Sequence, residues 1–201
     1  MENKSKSKIE VNKEEKKIKL FNSAFKLFTK KGIKDTSVQE ITDDAGLAKG
    51  TFYLYFNDKY ELQDKLVIRK SRQLFYQALK KLDNENIEKF DEKVIFIVDY
   101  IISYLNKNRL LLKFISKNLS WGLYNEKVTK IVDDNALGVR ELFLKNVQDN
   151  DIKLKNPDVT LFMIIELVSS TCFTSIMNQE PLPIDEYKPY LYSSIKKILK
   201  E

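Results

Sequence analysis

The sequence has no histidine and a single cysteine, Cys172. The missing histidine removes the commonest general base and a favoured metal ligand, so serine or cysteine triads and Cys/His zinc sites are excluded. One cysteine cannot form an intrachain disulfide, and Cys172 is expected as a small core residue. No convergent group of Asp, Glu, Lys or Tyr stands out as acid/base machinery. The chain therefore reads as a non-enzyme that calls for no cofactor and no metal. Glycine and proline are also scarce, five and four in 201 residues. Strand-rich folds need frequent turns, so this shortage of breakers points to helices. There is no Walker-type or Rossmann-type glycine loop and no internal repeat. Residues 1–17 are almost all polar, unlike a signal peptide, and no apolar run reaches ~18 uninterrupted residues, so no spanning helix is expected. These absences lead to the expectation of a soluble cytoplasmic protein with no membrane partner.

What is present is positive charge at one end. The formal net charge is +6, yet residues 1–34 alone hold eleven lysines and four glutamates, leaving the remainder close to neutral. Such asymmetry is expected where one end meets a polyanion. Residues 1–12 read as a disordered basic tail, for which a plain solvated tail is the alternative.

Hydrophobic periodicity divides the rest into about nine helices with no strand. Ile18, Phe21, Phe25 and Phe28 recur at helical spacing over 13–31, and Gly32 follows Lys30 and Lys31, cations that suit a helix C-terminus. Thr36 or Ser37 can cap a helix over 37–45, with Gln39 or Glu40 completing a capping box and Gly46 ending it. A short helix over 48–54 follows, then longer ones over 59–82, 88–106, 108–118, 126–148, 158–178 and 184–200. Pro157 suits the first turn of the second-last. The expected organisation is a tail (1–12), a three-helix helix-turn-helix domain (13–58) and a C-terminal helical domain (59–201).

The stretch 45–62, AGLAKGTFYLYFNDKYEL, carries the functional signal. At ~100° per residue, Phe56 lies ~40° from Phe52 and Ala48 about as far on the other side, forming a buried stripe. Gly50 and Leu54 point away, flanked by Thr51 and Tyr53, with Lys49 at the N-terminal edge. An outward glycine costs helix stability, about 1 kcal/mol against alanine, and suggests close approach of a partner to the backbone. Two helices joined through a tight Gly46 turn form a helix-turn-helix, whose second helix can enter the major groove. Lysine favours guanine O6 and N7. Threonine can bond a base edge or meet a thymine methyl, and Leu54 could reach such a methyl. The hydroxyls of Tyr53 and Tyr55 suit phosphate oxygens. Lys59, Thr36 and Ser37 lie at helix starts, where backbone amides favour phosphate.

Residues 32–62 closely resemble the DNA-binding domain of TetR-family transcriptional regulators. The family pattern is matched at Gly32, Thr36, Ser37, Val38, Ile41, Ala45, Gly46, Lys49, Gly50, Thr51, Phe52, Tyr53, Phe56, Lys59 and Leu62. The chain departs where Tyr55 replaces a frequent His, and at Tyr60-Glu61. With the first helix the resemblance covers about 50 residues; beyond them only length and helical pattern agree. It implies contacts to double-stranded DNA through Thr36, Ser37, Ala48, Lys49, Gly50, Thr51, Tyr53, Tyr55 and Lys59. It also implies a C-terminal ligand-sensing and dimerisation domain, and a repressor released from a palindromic operator by a small-molecule effector. The alternative is a DNA-binding protein of the same fold without such an effector, controlled by a partner protein or serving a chromosomal role.

One short recognition helix contacts few base pairs, so a two-fold homodimer is also expected on physical grounds. The resemblance implies that the last two helices form the interface, and their broad apolar faces fit it, through Leu161, Ile165, Val168, Cys172, Ile176, Leu191, Ile195 and Ile198; the alternative is that these faces pack only inside the monomer. Candidate ligand-binding residues are Phe75, Phe96, Tyr100, Tyr104, Phe114, Trp121, Tyr124, Phe162 and Glu166, suited to a small hydrophobic or cationic effector. Glu166, the acidic member of an apolar helix, is assigned either to an ion pair in the dimer contact or to selection of a cation in the pocket.

Overall fold

The computed structural model describes residues 8–116 and 139–200, which contain nine α-helices and no strand. The chain divides into two compact units, residues 1–66 and 67–201. The boundary falls inside one continuous helix, α4 (Lys59–Leu82), rather than at its start.

The first unit comprises α1 (Lys8–Lys31), α2 (Val38–Ala45), α3 (Lys49–Tyr53) and the opening turns of α4. Residues 8–12 are helical, which corrects that part of the disordered tail expected over 1–12; residues 1–7 lie outside the described residues. Lysines and glutamates are good helix formers and extend α1 beyond its apolar stripe. Leu20, Ala24, Ile41, Phe52, Leu62 and Leu66 are fully buried, and Phe21, Phe28 and Phe56 nearly so. The rings of Phe21 and Phe56 meet edge-on at 5.4 Å, and those of Phe52 and Phe56 lie 5.5 Å apart. Burying one such side chain stabilises by roughly 2 kcal/mol, so these rings are what fixes α3 to its support.

The second unit holds the rest of α4 with α5 (Phe90–Lys107), α6 (Arg109–Ile115), α7 (Val139–Asp149), α8 (Pro157–Met177) and α9 (Ile184–Ile198). Asn156 caps α8 by accepting from the Val159 amide, with Pro157 in the first turn as expected. α8 packs against α5, α7 and α9. By length and composition it could cross a membrane, contrary to the expectation that no helix would. Its apolar character is accounted for here by contact with three neighbouring helices, which bury Leu161, Ile164, Cys172 and Ile176. Polar bonds fix these contacts. Arg140 of α7 pairs with Asp158 of α8 at 2.5 Å. Lys188 of α9 reaches both Asp99 (2.8 Å) and Ser103 (2.9 Å) of α5, and the Tyr192 hydroxyl donates to Asp99.

This packing corrects the dimer-face assignment for the five residues that the protomer itself buries. Leu161, Cys172, Ile176, Leu191 and Ile195 are buried inside the protomer, and Ile165, Val168 and Ile198 are half-buried. A helix apolar all round gives no indication from sequence of which side its own chain covers. The side left outward carries Val159, Phe162 and Met163, 49%, 44% and 44% exposed, with Tyr190 of α9 at 66%.

Candidate nucleic-acid interface and ligand cavity

Local chemistry dictates the turn between α2 and α3. Ser37 begins α2 with a complete capping box. Its amide donates to Glu40 Oε2 (2.8 Å), and Glu40 N–H donates to Ser37 Oγ (3.2 Å). Lys31 Nζ lies 2.6 Å from Glu40 Oε1 and ties the end of α1 to the start of α2. The Lys31 hydrogen bond, followed by those from Ser37, lowers the Glu40 pKa to about 2. At the other end Gly46 is left-handed (φ 65°). Its amide donates to Asp43 O and that of Leu47 to Thr42 O, the crossed pair of a Schellman turn. Any residue with a Cβ is strained there, so glycine is required.

Gly50 is a different case. It is exposed, lies within helical backbone, and a Cβ built on it would meet nothing within 4 Å. Nothing inside the protein calls for a glycine there. Around it the surface of α3 is open: Ala48 and Lys49 are exposed, Tyr53 is 54% exposed and Leu54 77%, while Thr51 is half-buried. Phe52, directly behind, is completely buried. A rigid, polar-and-apolar face on a short helix with an anchored back can enter a groove.

The remaining sequence-assigned contacts are used within the unit itself. Thr36 is buried, and its hydroxyl donates to the Gly32 carbonyl at 2.7 Å. Ser37 is exposed, but its hydroxyl is engaged by Glu40 at 2.9 Å. Lys59 Nζ donates to the carbonyls of Lys34 (2.9 Å) and Thr36 (2.8 Å), stapling the start of α4 to the α1–α2 turn. Tyr55 is half-buried with Lys17 over its ring. Thr36 and Lys59 are therefore corrected from phosphate contacts to supports of the turn. Sequence position placed both at helix starts; it could not show that their polar atoms turn inward. Tyr60, 52% exposed at the start of α4, is a surface aromatic that the sequence reading did not select.

Residues 20–66 match the sequence model of the bacterial regulatory proteins of the tetR family. By this match the N-terminal region of the chain is a TetR-type DNA-binding domain, and the chain is similar to TetR-family transcriptional regulators. Over 48 residues it is 44% identical to the HTH-type transcriptional regulator YerO of Bacillus subtilis, a stretch spanning 24% of this chain and 17% of that protein. Over 169 residues it is 24% identical to an HTH-type transcriptional regulator of Staphylococcus aureus strain USA300, covering 84% of this chain and 85% of the relative. Among solved structures, a TetR-family regulator of Syntrophomonas wolfei superposes with a TM-score of 0.64 at 18% identity, covering 94% of this chain and 96% of the other. The regulator FadR of Bacillus subtilis in complex with stearoyl-CoA does so with a TM-score of 0.59 at 18% identity, covering 89% and 96%. At such identities the solved neighbours share the TetR fold.

The second unit holds a partly open cavity of about 170 Å³ between α4, α5, α6, α7 and α8. An apolar cavity of ~150 Å³ accepts a benzene ring, so this one has room for a small ligand. Of the sequence-assigned ligand residues, Phe75 lines it. Phe96, Tyr100, Tyr104, Phe114, Phe162 and Glu166 do not, while Trp121 and Tyr124 lie outside the described residues. The reason lies in helical phase. On α5 the lining residues Val94, Val98, Ile101 and Leu105 share one stripe. Phe96 stands ~200° from Val94 and Tyr100 ~240°, on the reverse of the helix. Leu161, Ile165 and Val168, assigned from sequence to the dimer contact, line the cavity instead. The single charged lining residue among those described is Lys93, and Glu166 is not among the lining residues.

Proposed function

We propose that the chain is a homodimeric repressor that grips a near-palindromic operator with two copies of α3 and releases it when a small effector with an apolar body occupies the cavity of the second unit. The observation that carries the DNA contact is the open face of Lys49, Gly50 and Tyr53, backed by Phe52 with no exposed surface. A two-fold dimer sets such helices about 34–36 Å apart, one turn of B-DNA. The outward side of α8, with Val159, Phe162 and Met163, supplies an apolar surface for that dimer. The cavity supports an effector, and so does the likeness in fold to the Bacillus subtilis FadR, which was solved in complex with stearoyl-CoA, a ligand with a long acyl chain. By reciprocity an effector that weakens operator binding is itself bound less tightly by the operator-bound form.

The experiment is a selection of duplex from a random library followed by titration with Lys49→Ala and Tyr53→Phe. Both variants are expected to remain folded and to lose affinity, about tenfold for Lys49→Ala. Unchanged affinity in both would remove α3 as the reading surface.

A further inference from the structure

The chemistry of the effector can be read from the cavity wall, on the premise that the cavity is the effector site. The described walls are apolar except at Ser71, Lys93 and Asn146. Two of these are already engaged. The Ser71 hydroxyl donates to the Val67 carbonyl at 2.9 Å, and the Asn146 amide donates to the Leu142 carbonyl at 2.9 Å. Lys93, in the first turns of α5, is half-buried and forms no ion pair with any described residue. Its neighbours Lys89 and Glu92 pair with each other at 3.5 Å. Nearby acids of the second unit pair elsewhere: Asp91 with Lys196 at 3.8 Å, Asp99 and Asp185 with Lys188, and Asp158 with Arg140. A lysine with no carboxylate partner among the described residues, beside an otherwise apolar hollow, has its aliphatic stem in a favourable place and calls for a counter-charge.

We infer that this cavity selects an amphiphilic anion, with its apolar body among Val94, Val98, Ile101 and Leu105 and its acidic head at Lys93. An acid brings the counter-charge that the wall lacks. An alcohol of equal length brings only a hydrogen bond, and an ammonium is repelled by Lys93. Charge-assisted hydrogen bonds are roughly twice as strong as neutral ones, so head-group chemistry rather than body shape sets the discrimination.

Calorimetric titration of the full chain with octanoate, octanol and octylammonium tests this, using wild type, Lys93→Met, Lys93→Arg and the cavity-filling Ile101→Phe. The expected result is saturable octanoate binding to wild type, with octanol about tenfold weaker and octylammonium weaker still. Lys93→Met is expected to bring octanoate down to the octanol level, Lys93→Arg to restore the preference, and Ile101→Phe to weaken octanoate and octanol alike. Equal binding of octanoate and octanol by wild type, or a preference that survives Lys93→Met, overturns the anionic assignment while leaving the cavity as an apolar ligand site. Binding of none of the three by wild type overturns both the assignment and the cavity as their site.

Discussion

At the scale of single residues, Gly50 separates folding from binding. A glycine in helical backbone with open space where its Cβ would lie is suboptimal for the protein alone. Gly50→Ala is expected to stabilise the fold by up to about 1 kcal/mol, measured by thermal melting, while costing DNA affinity. Lys59 makes the opposite prediction. Because its ammonium holds the carbonyls of Lys34 and Thr36, Lys59→Ala should lower stability by roughly 1–2 kcal/mol and leave the salt dependence of DNA binding nearly unchanged. A phosphate contact would instead make the salt slope shallower by about 1. Sequence patterning alone was enough to identify Phe52 and Phe56 as anchors and Gly46 as the turn glycine, because periodicity and backbone sterics constrain those positions locally. It did not distinguish Thr36 from Thr51 as a contact. Both are threonines beside a helix start, and only the packing turns one hydroxyl inward to Gly32. Cys172 behaves as expected of a core thiol: burial pushes it up to about 12, so it stays protonated near neutral pH.

At the scale of elements, caps and cross-helix ion pairs hold each unit together and respond to acid. Glu40 has its pKa lowered to about 2 from an ordinary 4.5, chiefly by Lys31. Asp99 is also lowered; burial opposes this, and the hydrogen bonds from Lys188 and Tyr192 outweigh it. Both groups bind protons more readily in the unfolded chain. Their contribution is therefore present above the unfolded pKa, about 4 to 4.5, and is lost as pH falls through the lower folded value. Glu40→Gln should melt below wild type near neutral pH, with the gap closing toward pH 2–3; a constant gap would mean that Lys31 and Ser37 do not act through the carboxylate. Among the described residues the order of the helices was legible in the sequence because long amphipathic segments with caps are hard to mistake; most of the helix expected over 126–148 lies outside them. Which side of α5 or α8 faces what was not. Aromatic residues drew the ligand assignment to Phe96, Tyr100 and Tyr104, whereas the cavity is walled mostly by aliphatic residues. On α8, apolar residues on every side concealed the division between core, cavity and outer surface.

At the scale of the whole molecule, the two units carry separate tasks. The basic first unit presents α3, and the second holds the cavity and the outward apolar side of α8. If that side joins two copies, Met163→Glu should shift the sedimentation of the chain from dimer to monomer at micromolar concentration. It should also weaken operator binding with Lys49 and Tyr53 intact, since a single α3 spans too few base pairs. A dimer that withstands this change would place the contact elsewhere. The central claim, that two α3 faces read one duplex, is tested most directly by titrating a library-selected duplex with wild type and Gly50→Ala. The predicted result is two wild-type chains per inverted repeat, with half-site centres about 10 base pairs apart, and at least about tenfold weaker binding by a Gly50→Ala variant that melts no lower. Equal binding by Gly50→Ala, or one chain on an asymmetric site, would contradict it.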